Sequence, residues 1–166
     1  MLIYIVGYMG SGKTTFGKKL ASALNYHFFD TDKMLETNYK TTIGNLFKKY
    51  GEHNFRIIET KILKETFCKK NSVISTGGGL PCFEDNMILI NKNGKSIYLK
   101  RSIEVLFKTL KSSQAKTRPL LEDLKENELF EFISKHLALR EEYYNLSNYT
   151  IIKDDIAETI NLLNGN

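Results

Sequence analysis

The chain has 166 residues, 42% hydrophobic and 26% charged, with 24 Lys and Arg against 19 Asp and Glu for a net charge of +5. That length suits one domain able to bury about 70% of its unfolded surface without a disulfide or metal staple, and the composition is too apolar for a disordered chain. No stretch approaches the ~20 apolar residues of a membrane span, and the opening Met1–Gly12 lacks a basic n-region, so no membrane partner is expected and the expected compartment is cytoplasmic.

Leu2-Ile3-Tyr4-Ile5-Val6 is a short apolar run that stops at Gly7, the pattern of a buried parallel strand. A helix is expected over Lys13–Leu24, with Phe16, Leu20, Ala23 and Leu24 on one face. Tyr26–Phe29 reads as a second strand ending at Asp30. Helices are expected over 32–38, 42–50 and 52–67, the last with Phe55, Ile58, Ile62 and Leu63 on one face. Ser72–Ser75 is a third strand, stopped by Gly77-Gly78-Gly79, and a helix follows near 83–91. Ser96–Leu99 is a fourth strand, and Ser102 is placed to cap a helix reaching Leu110. Lys111–Pro119 is polar, basic and aperiodic and reads as a loop. A long helix over 127–144, a strand over 149–152 and a capping box at Asp155-x-x-Glu158 complete the chain. Strands alternating with helices imply an α/β protein, a three-layer, five-stranded parallel sheet with helices on both faces.

Cys68 and Cys82 have no partner at zinc spacing and read as small core or half-buried residues. The three histidines are scattered, so no protein-held zinc site is expected. Charge is unevenly spread. Residues 91–120 carry 8 basic and 1 acidic side chain, and residues 121–166 carry 4 basic and 10 acidic. A basic segment attracts phosphates or nucleic acid. Only Tyr98 and Phe107 interleave it, so no nucleic-acid partner is expected, and the excess reads as charge supplied around small anionic substrates.

Gly7-Tyr8-Met9-Gly10-Ser11-Gly12-Lys13-Thr14 matches G-x-x-x-x-G-K-[ST] in full, between a strand and a helix. Glycines let backbone N–H groups converge on a phosphate, and the helix N-terminus adds its positive dipole end. Lys13 then reaches the β- and γ-phosphates of ATP, and the Thr14 hydroxyl suits Mg²⁺. Asp30-Thr31-Asp32 lies at a strand carboxyl end, where doubly wound sheets bind ligands. Its carboxylates could serve a metal and an acceptor hydroxyl, or simply cap a helix. Gly77-Gly78-Gly79 indicates positive φ or close backbone approach. Arg56 and Glu59 share a helix face as either a surface ion pair or part of a site. Arg118 and Arg140 gain interest only beside a phosphate or carboxylate.

Taken in order, these segments make the chain similar to the shikimate kinase family, within the nucleoside-monophosphate-kinase-like group of P-loop enzymes. The resemblance rests on the phosphate loop, Asp30-Thr31-Asp32, Phe55-Arg56-Ile57-Ile58-Glu59, Val73–Ser75 running into Thr76-Gly77-Gly78-Gly79, Thr117-Arg118-Pro119-Leu120-Leu121, and Arg140-Glu141-Glu142-Tyr143-Tyr144. It implies strand order 2-3-1-4-5 and one kinase domain over 1–166, with a substrate-binding helical segment at about 31–62 and a lid at about 111–124. It implies transfer of phosphate from ATP to the shikimate 3-hydroxyl, in chorismate and aromatic amino-acid biosynthesis.

The residue roles that follow are those of the family. Lys13, Asp32 and Arg118 would be catalytic, Asp32 as base or orienter of the hydroxyl. Gly10, Ser11, Gly12, Lys13, Thr14, Thr15, Phe16, Gly17, Lys111 and Arg118 would bind ATP. Asp32, Phe47, Phe55, Arg56, Glu59, Gly77, Gly78, Gly79 and Arg140 would bind shikimate. Thr14, Asp30 and Asp32 would serve Mg²⁺. Lys111 stands where the family often has an arginine that stacks on adenine, Ser112-Ser113 replace a flexible pair, and Lys153-Asp154-Asp155 lack an expected proline. A monomer is the default expectation. Rival readings are a related kinase for gluconate or a nucleoside monophosphate, and a nucleotide-binding domain that no longer transfers phosphate.

Overall fold

The structure is a computed structural model that describes residues 1–112 and 126–165. Five parallel strands form one sheet in the order β2-β3-β1-β4-β5, as the resemblance implied. They are β1 (Leu2–Val6), β2 (His27–Asp30), β3 (Ser72–Ser75), β4 (Lys95–Leu99) and β5 (Tyr149–Ile151). The helices are α1 (Lys13–Leu24), α2 (Thr31–Tyr39), α3 (Ile43–Glu65), α4 (Asn86–Asn93), α5 (Ile103–Lys111), α6 (Glu126–Tyr144) and α7 (Ile156–Asn164). A single 3-10 turn, Leu80–Cys82, lies between β3 and α4 and carries no signal in the sequence periodicity.

The period of two along β1 builds both faces of the core. Ile3 and Ile5 pack with Phe16, Leu20, Val73, Ile97 and Leu163 on the side of α1 and α7. Tyr4 and Val6 pack with Ile74, Met87, Ile90, Leu106 and Ile133 on the side of α4, α5 and α6. A third cluster of Leu35, Leu46, Phe55, Ile58 and Ile62 joins α2 to α3 away from the sheet. On α1 the buried small residue is Ala21, not Ala23, because the helix face turns toward β1 and β3.

The two helices expected over 42–50 and 52–67 are one element bent at Gly51, whose φ of 72° and ψ of 168° leave the helical region. Glycine adopts that φ without the Cβ clash that other residues meet. Local caps hold as the sequence indicated: Ser102 Oγ accepts from Val105 N–H, and Asp155 Oδ1 accepts from Glu158 N–H. The core reading of Cys68 is corrected. The residue is exposed past the end of α3, and Cys82 is the half-buried one.

Two cations of the basic segment have acidic partners near the end of the chain. Lys100 pairs with Glu141 at 2.8 Å, and Arg101 pairs with Asp154. Arg101 further donates to the Ile152 carbonyl at 2.6 Å. Among the described residues, no helix is long and apolar enough to cross a membrane.

Candidate active site

Strand β1 delivers the chain into the phosphate loop, whose glycines take left-handed or extended-positive φ: 141° at Gly7, 79° at Gly10 and 90° at Gly12. Lys13, 8% exposed, is folded back so that Nζ donates to the carbonyls of Gly7 and Tyr8, both at 2.8 Å. The loop therefore holds its own cation in place by acceptors it already owns. The Leu110 side chain packs on Gly10, which brings the end of α5, and Lys111 with it, beside the loop.

Ser11 and Thr15 bracket the helix start, Ser11 buried and Thr15 exposed. Phe16 and Gly17 face the other way. Phe16 is 2% exposed within the core, its N–H already donates to the Gly12 carbonyl, and a Cβ on Gly17 would meet Phe28 at 2.7 Å. Their side of α1 serves helix–sheet packing, so the ATP contact expected of them has no side-chain basis.

Asp30 caps a helix, one of the readings that the sequence left open, and also meets the phosphate loop. Its Oδ1 caps α2 by accepting from the N–H groups of Asp32 and Lys33, at 3.1 and 3.4 Å. Its Oδ2 accepts from the Thr14 hydroxyl at 2.7 Å. Thr14 and Asp30 meet, and with Asp32 they bring hard oxygen donors to one cavity, a set that fits Mg²⁺ carried largely by phosphates and water. The described residues contain no cluster of three His, Cys, Asp or Glu that could hold a metal alone.

This cavity measures about 570 Å³. Thr14, Asp30 and Asp32 line one side, Arg56, Glu59 and Arg140 another, and Phe47 and Phe55 form an apolar wall with their rings 5.5 Å apart. Gly77, Gly78 and Gly79 form its floor. Every residue named for the substrate side in the sequence lines this one cavity. Arg118 lies outside the described residues, as does most of the lid segment.

The glycines of the floor resolve as close approach and not as positive φ. A Cβ on Gly77 would meet Asp32 Oδ1 at 2.6 Å and Glu59 Oε1 at 2.9 Å, and one on Gly79 would collide with the Arg56 guanidinium. Arg56 and Glu59 are not a surface pair. They are 8% and 2% exposed and bonded at 2.6 Å. Burial pushes the Glu59 carboxyl up to about 7; the Arg56 charge opposes this and Asp32 adds to it. Arg140, 9% exposed, adds a second guanidinium to the same wall.

Several contacts were not read from the sequence. Thr31 Oγ1 accepts from Gly77 N–H at 2.9 Å, and Tyr144 Oη donates to the Gly78 carbonyl at 2.6 Å. The Tyr8 hydroxyl and His136 Nδ1 are 2.8 Å apart. Burial, then the Arg140 and Arg56 charges, hold His136 down to about 4, so it is a neutral ring near pH 7. Only Tyr144 had a signal, as the tyrosine of the Arg140-x-x-x-Tyr144 spacing.

A glycine loop at a strand–helix junction, an acidic strand end and a cavity with two arginines on its wall define an α/β phosphate-binding protein built for phosphoryl transfer to a small anion. The family model for shikimate kinase matches residues 9–163. A shikimate kinase of Azobacteroides pseudotrichonymphae is 47% identical over 144 residues, 86% of this chain and 84% of its own length. The crystal structure of shikimate kinase from Bacteroides thetaiotaomicron is 38% identical, with a TM-score of 0.90 over 99% of this chain and 97% of that one. The shikimate kinase of Acinetobacter baumannii, solved in complex with shikimate, is 31% identical, with a TM-score of 0.87 over 99% and 93%. The chain belongs to the shikimate kinase family.

Proposed function

We propose that the chain transfers the γ-phosphoryl group of ATP to the 3-hydroxyl of shikimate, as a step of aromatic amino-acid biosynthesis through chorismate. The observation that carries this is the single cavity joining Thr14 and Asp30 of the phosphate side to Arg56 and Arg140. An acid of shikimate's size would span it with its carboxylate on the arginines and a hydroxyl at Asp32. Gluconate fits less well, since the Phe47–Phe55 wall offers a ring-sized apolar face rather than polar partners for an open chain.

Arg56 and Arg140 bind the carboxylate, and Glu59 orients Arg56. Asp32 accepts a hydrogen bond from the acceptor hydroxyl and takes its proton or aligns its lone pair as phosphorus is attacked. Lys13 leaves the Gly7 and Tyr8 carbonyls for the β- and γ-phosphates, so charge is supplied where it develops. Arg118, in a lid at about 111–124, adds a second cation to the transferring group, and Lys111 lies on the ATP side. Thr14 and Asp30 would hold Mg²⁺, with Asp32 close by. That ion neutralises phosphate charge when bound. The segment at about 31–62 is the acceptor-binding part of one kinase domain spanning 1–166. We take the protein to act as a cytoplasmic monomer.

The test is ADP release by purified protein with ATP and Mg²⁺ against shikimate, gluconate and nucleoside monophosphates. Shikimate alone should support turnover. Equal turnover with gluconate or a nucleotide would overturn the assignment, and binding of ATP without transfer to any acceptor would favour the non-catalytic reading.

A further inference from the structure

Helix α6 touches both halves of the site. Tyr144 Oη donates to the Gly78 carbonyl at 2.6 Å, and His136 Nδ1 meets the Tyr8 hydroxyl at 2.8 Å. Arg140 lies midway, and a spacing of four places all three on one helix face. The Tyr144 ring is fully buried and packs 5.2 Å from the Tyr98 ring, so packing seats it, and its hydroxyl meets the Cys82 and Arg140 side chains as well as the turn.

The turn it serves is pinned peptide by peptide. Gly77 N–H donates to Thr31 Oγ1, the Gly77 carbonyl accepts from Leu80 N–H, and the Gly79 carbonyl accepts from Cys82 N–H. Among the described residues, the N–H groups of Gly78 and Gly79 have no protein partner, and both glycines line the cavity. In a trans peptide the carbonyl and the next N–H point in opposite directions. Holding the Gly78 carbonyl toward α6 therefore aims the Gly79 N–H away from α6. At the other end, Tyr8 carries a carbonyl that holds Lys13 Nζ. Its side chain, through His136, sets where that carbonyl sits.

We propose that Tyr144 and His136 are positioning residues: Tyr144 fixes the Gly78–Gly79 peptide in the orientation that offers its N–H to the acceptor, and His136 fixes the phosphate loop through Tyr8. One helix face thereby registers the acceptor turn and the phosphate loop on either side of Arg140. The inference deepens the shikimate kinase reading and rests on it for the identity of the acceptor.

The experiment uses two variants that each delete one hydroxyl and keep the ring. Tyr144→Phe should raise the shikimate KM and Kd about five- to tenfold, the scale of one lost hydrogen bond, with the ATP KM within about twofold of wild type. Tyr8→Phe should do the reverse, raising the ATP KM and sparing shikimate. Amide hydrogen exchange in the ligand-free protein should quicken over Gly77–Leu80 in Tyr144→Phe and stay unchanged there in Tyr8→Phe. A shikimate KM within twofold of wild type in Tyr144→Phe, or both KM values rising together in either variant, would overturn the proposal. A wild type that fails to phosphorylate shikimate would instead sink the functional reading, and the exchange measurement would still decide whether Tyr144 holds the turn.

Discussion

Asp30 shows how much one side chain can be asked to do. One carboxylate oxygen caps α2 and the other receives the Thr14 hydroxyl, so the start of a helix and the edge of the phosphate site are set by the same group. Asp32, two residues on, has its carboxylate against Gly77, and in the proposed reaction it would meet the acceptor hydroxyl. Asp32→Asn keeps the shape and removes the basic oxygen; kcat should fall by ~10²–10⁴, the range of general-base catalysis, while ATP Kd by titration calorimetry changes less than twofold. Retained turnover would leave Asp32 no role in the proton transfer.

Glu59 carries a pH consequence. Its folded-state pKa is raised to about 7, above the ordinary 4.5, because burial penalises the carboxylate more than Arg56 rewards it. The native state then holds a proton that the unfolded chain has lost between those values. Its contribution is full below about 4.5 and is lost as pH rises through about 7. Denaturant titrations of the ligand-free protein should show stability declining across that window by up to ~3 kcal/mol, and Glu59→Gln should flatten the decline.

At the scale of elements, the floor of the cavity is built by what its glycines exclude. Gly79 lies so close to the Arg56 guanidinium that any Cβ displaces it. Gly79→Ala should raise the shikimate KM at least about tenfold, as misplacing a positioned group does, and lower the melting temperature, since the displaced guanidinium leaves the buried Glu59 carboxyl without its partner. A KM equal to wild type would show that Arg56 does not need its observed position. The elements themselves were legible because each has a local cause: alternation in β1, the apolar face of α3, Ser102 and Asp155 as caps. The 3-10 turn at Leu80–Cys82 was not, because the glycines that lead into it are held by Thr31 and Tyr144, residues far away in sequence.

For the whole molecule, the proposed reaction would draw on Arg118, which lies outside the described residues, as a cation on the transferring group. Arg118→Ala should lower kcat by ~10³–10⁵, as loss of an arginine that stabilises the transferring group does, and leave shikimate Kd within about threefold. Stopped-flow turnover and equilibrium binding separate the two effects; a kcat within tenfold of wild type would remove Arg118 from the transition state. Two cations of the basic stretch have partners in the acidic C-terminal segment. Lys100 and Arg101 answer Glu141 and Asp154, so the basic stretch is in part a structural clamp on β5 and the segments beside it.

The sequence by itself determined the phosphate loop, the alternating α/β order and the family, because these rest on short-range patterns: glycine spacing, periods of 2 and 3.6, and motifs in fixed order. It also named the residues of the acceptor side. Only the tertiary structure decided that they meet in one cavity, that Arg56 and Glu59 are buried rather than a surface pair, and that Gly77–Gly79 exist for close approach rather than for positive φ. It also placed Phe16 and Gly17 on the packing side of α1 and paired Lys100 and Arg101 with Glu141 and Asp154. Those outcomes depend on which side chains share a wall after the sheet has formed, and burial of that kind, which sets both the strength of a charge pair and the room left for a Cβ, is a property of three-dimensional neighbours that no single stretch of chain contains.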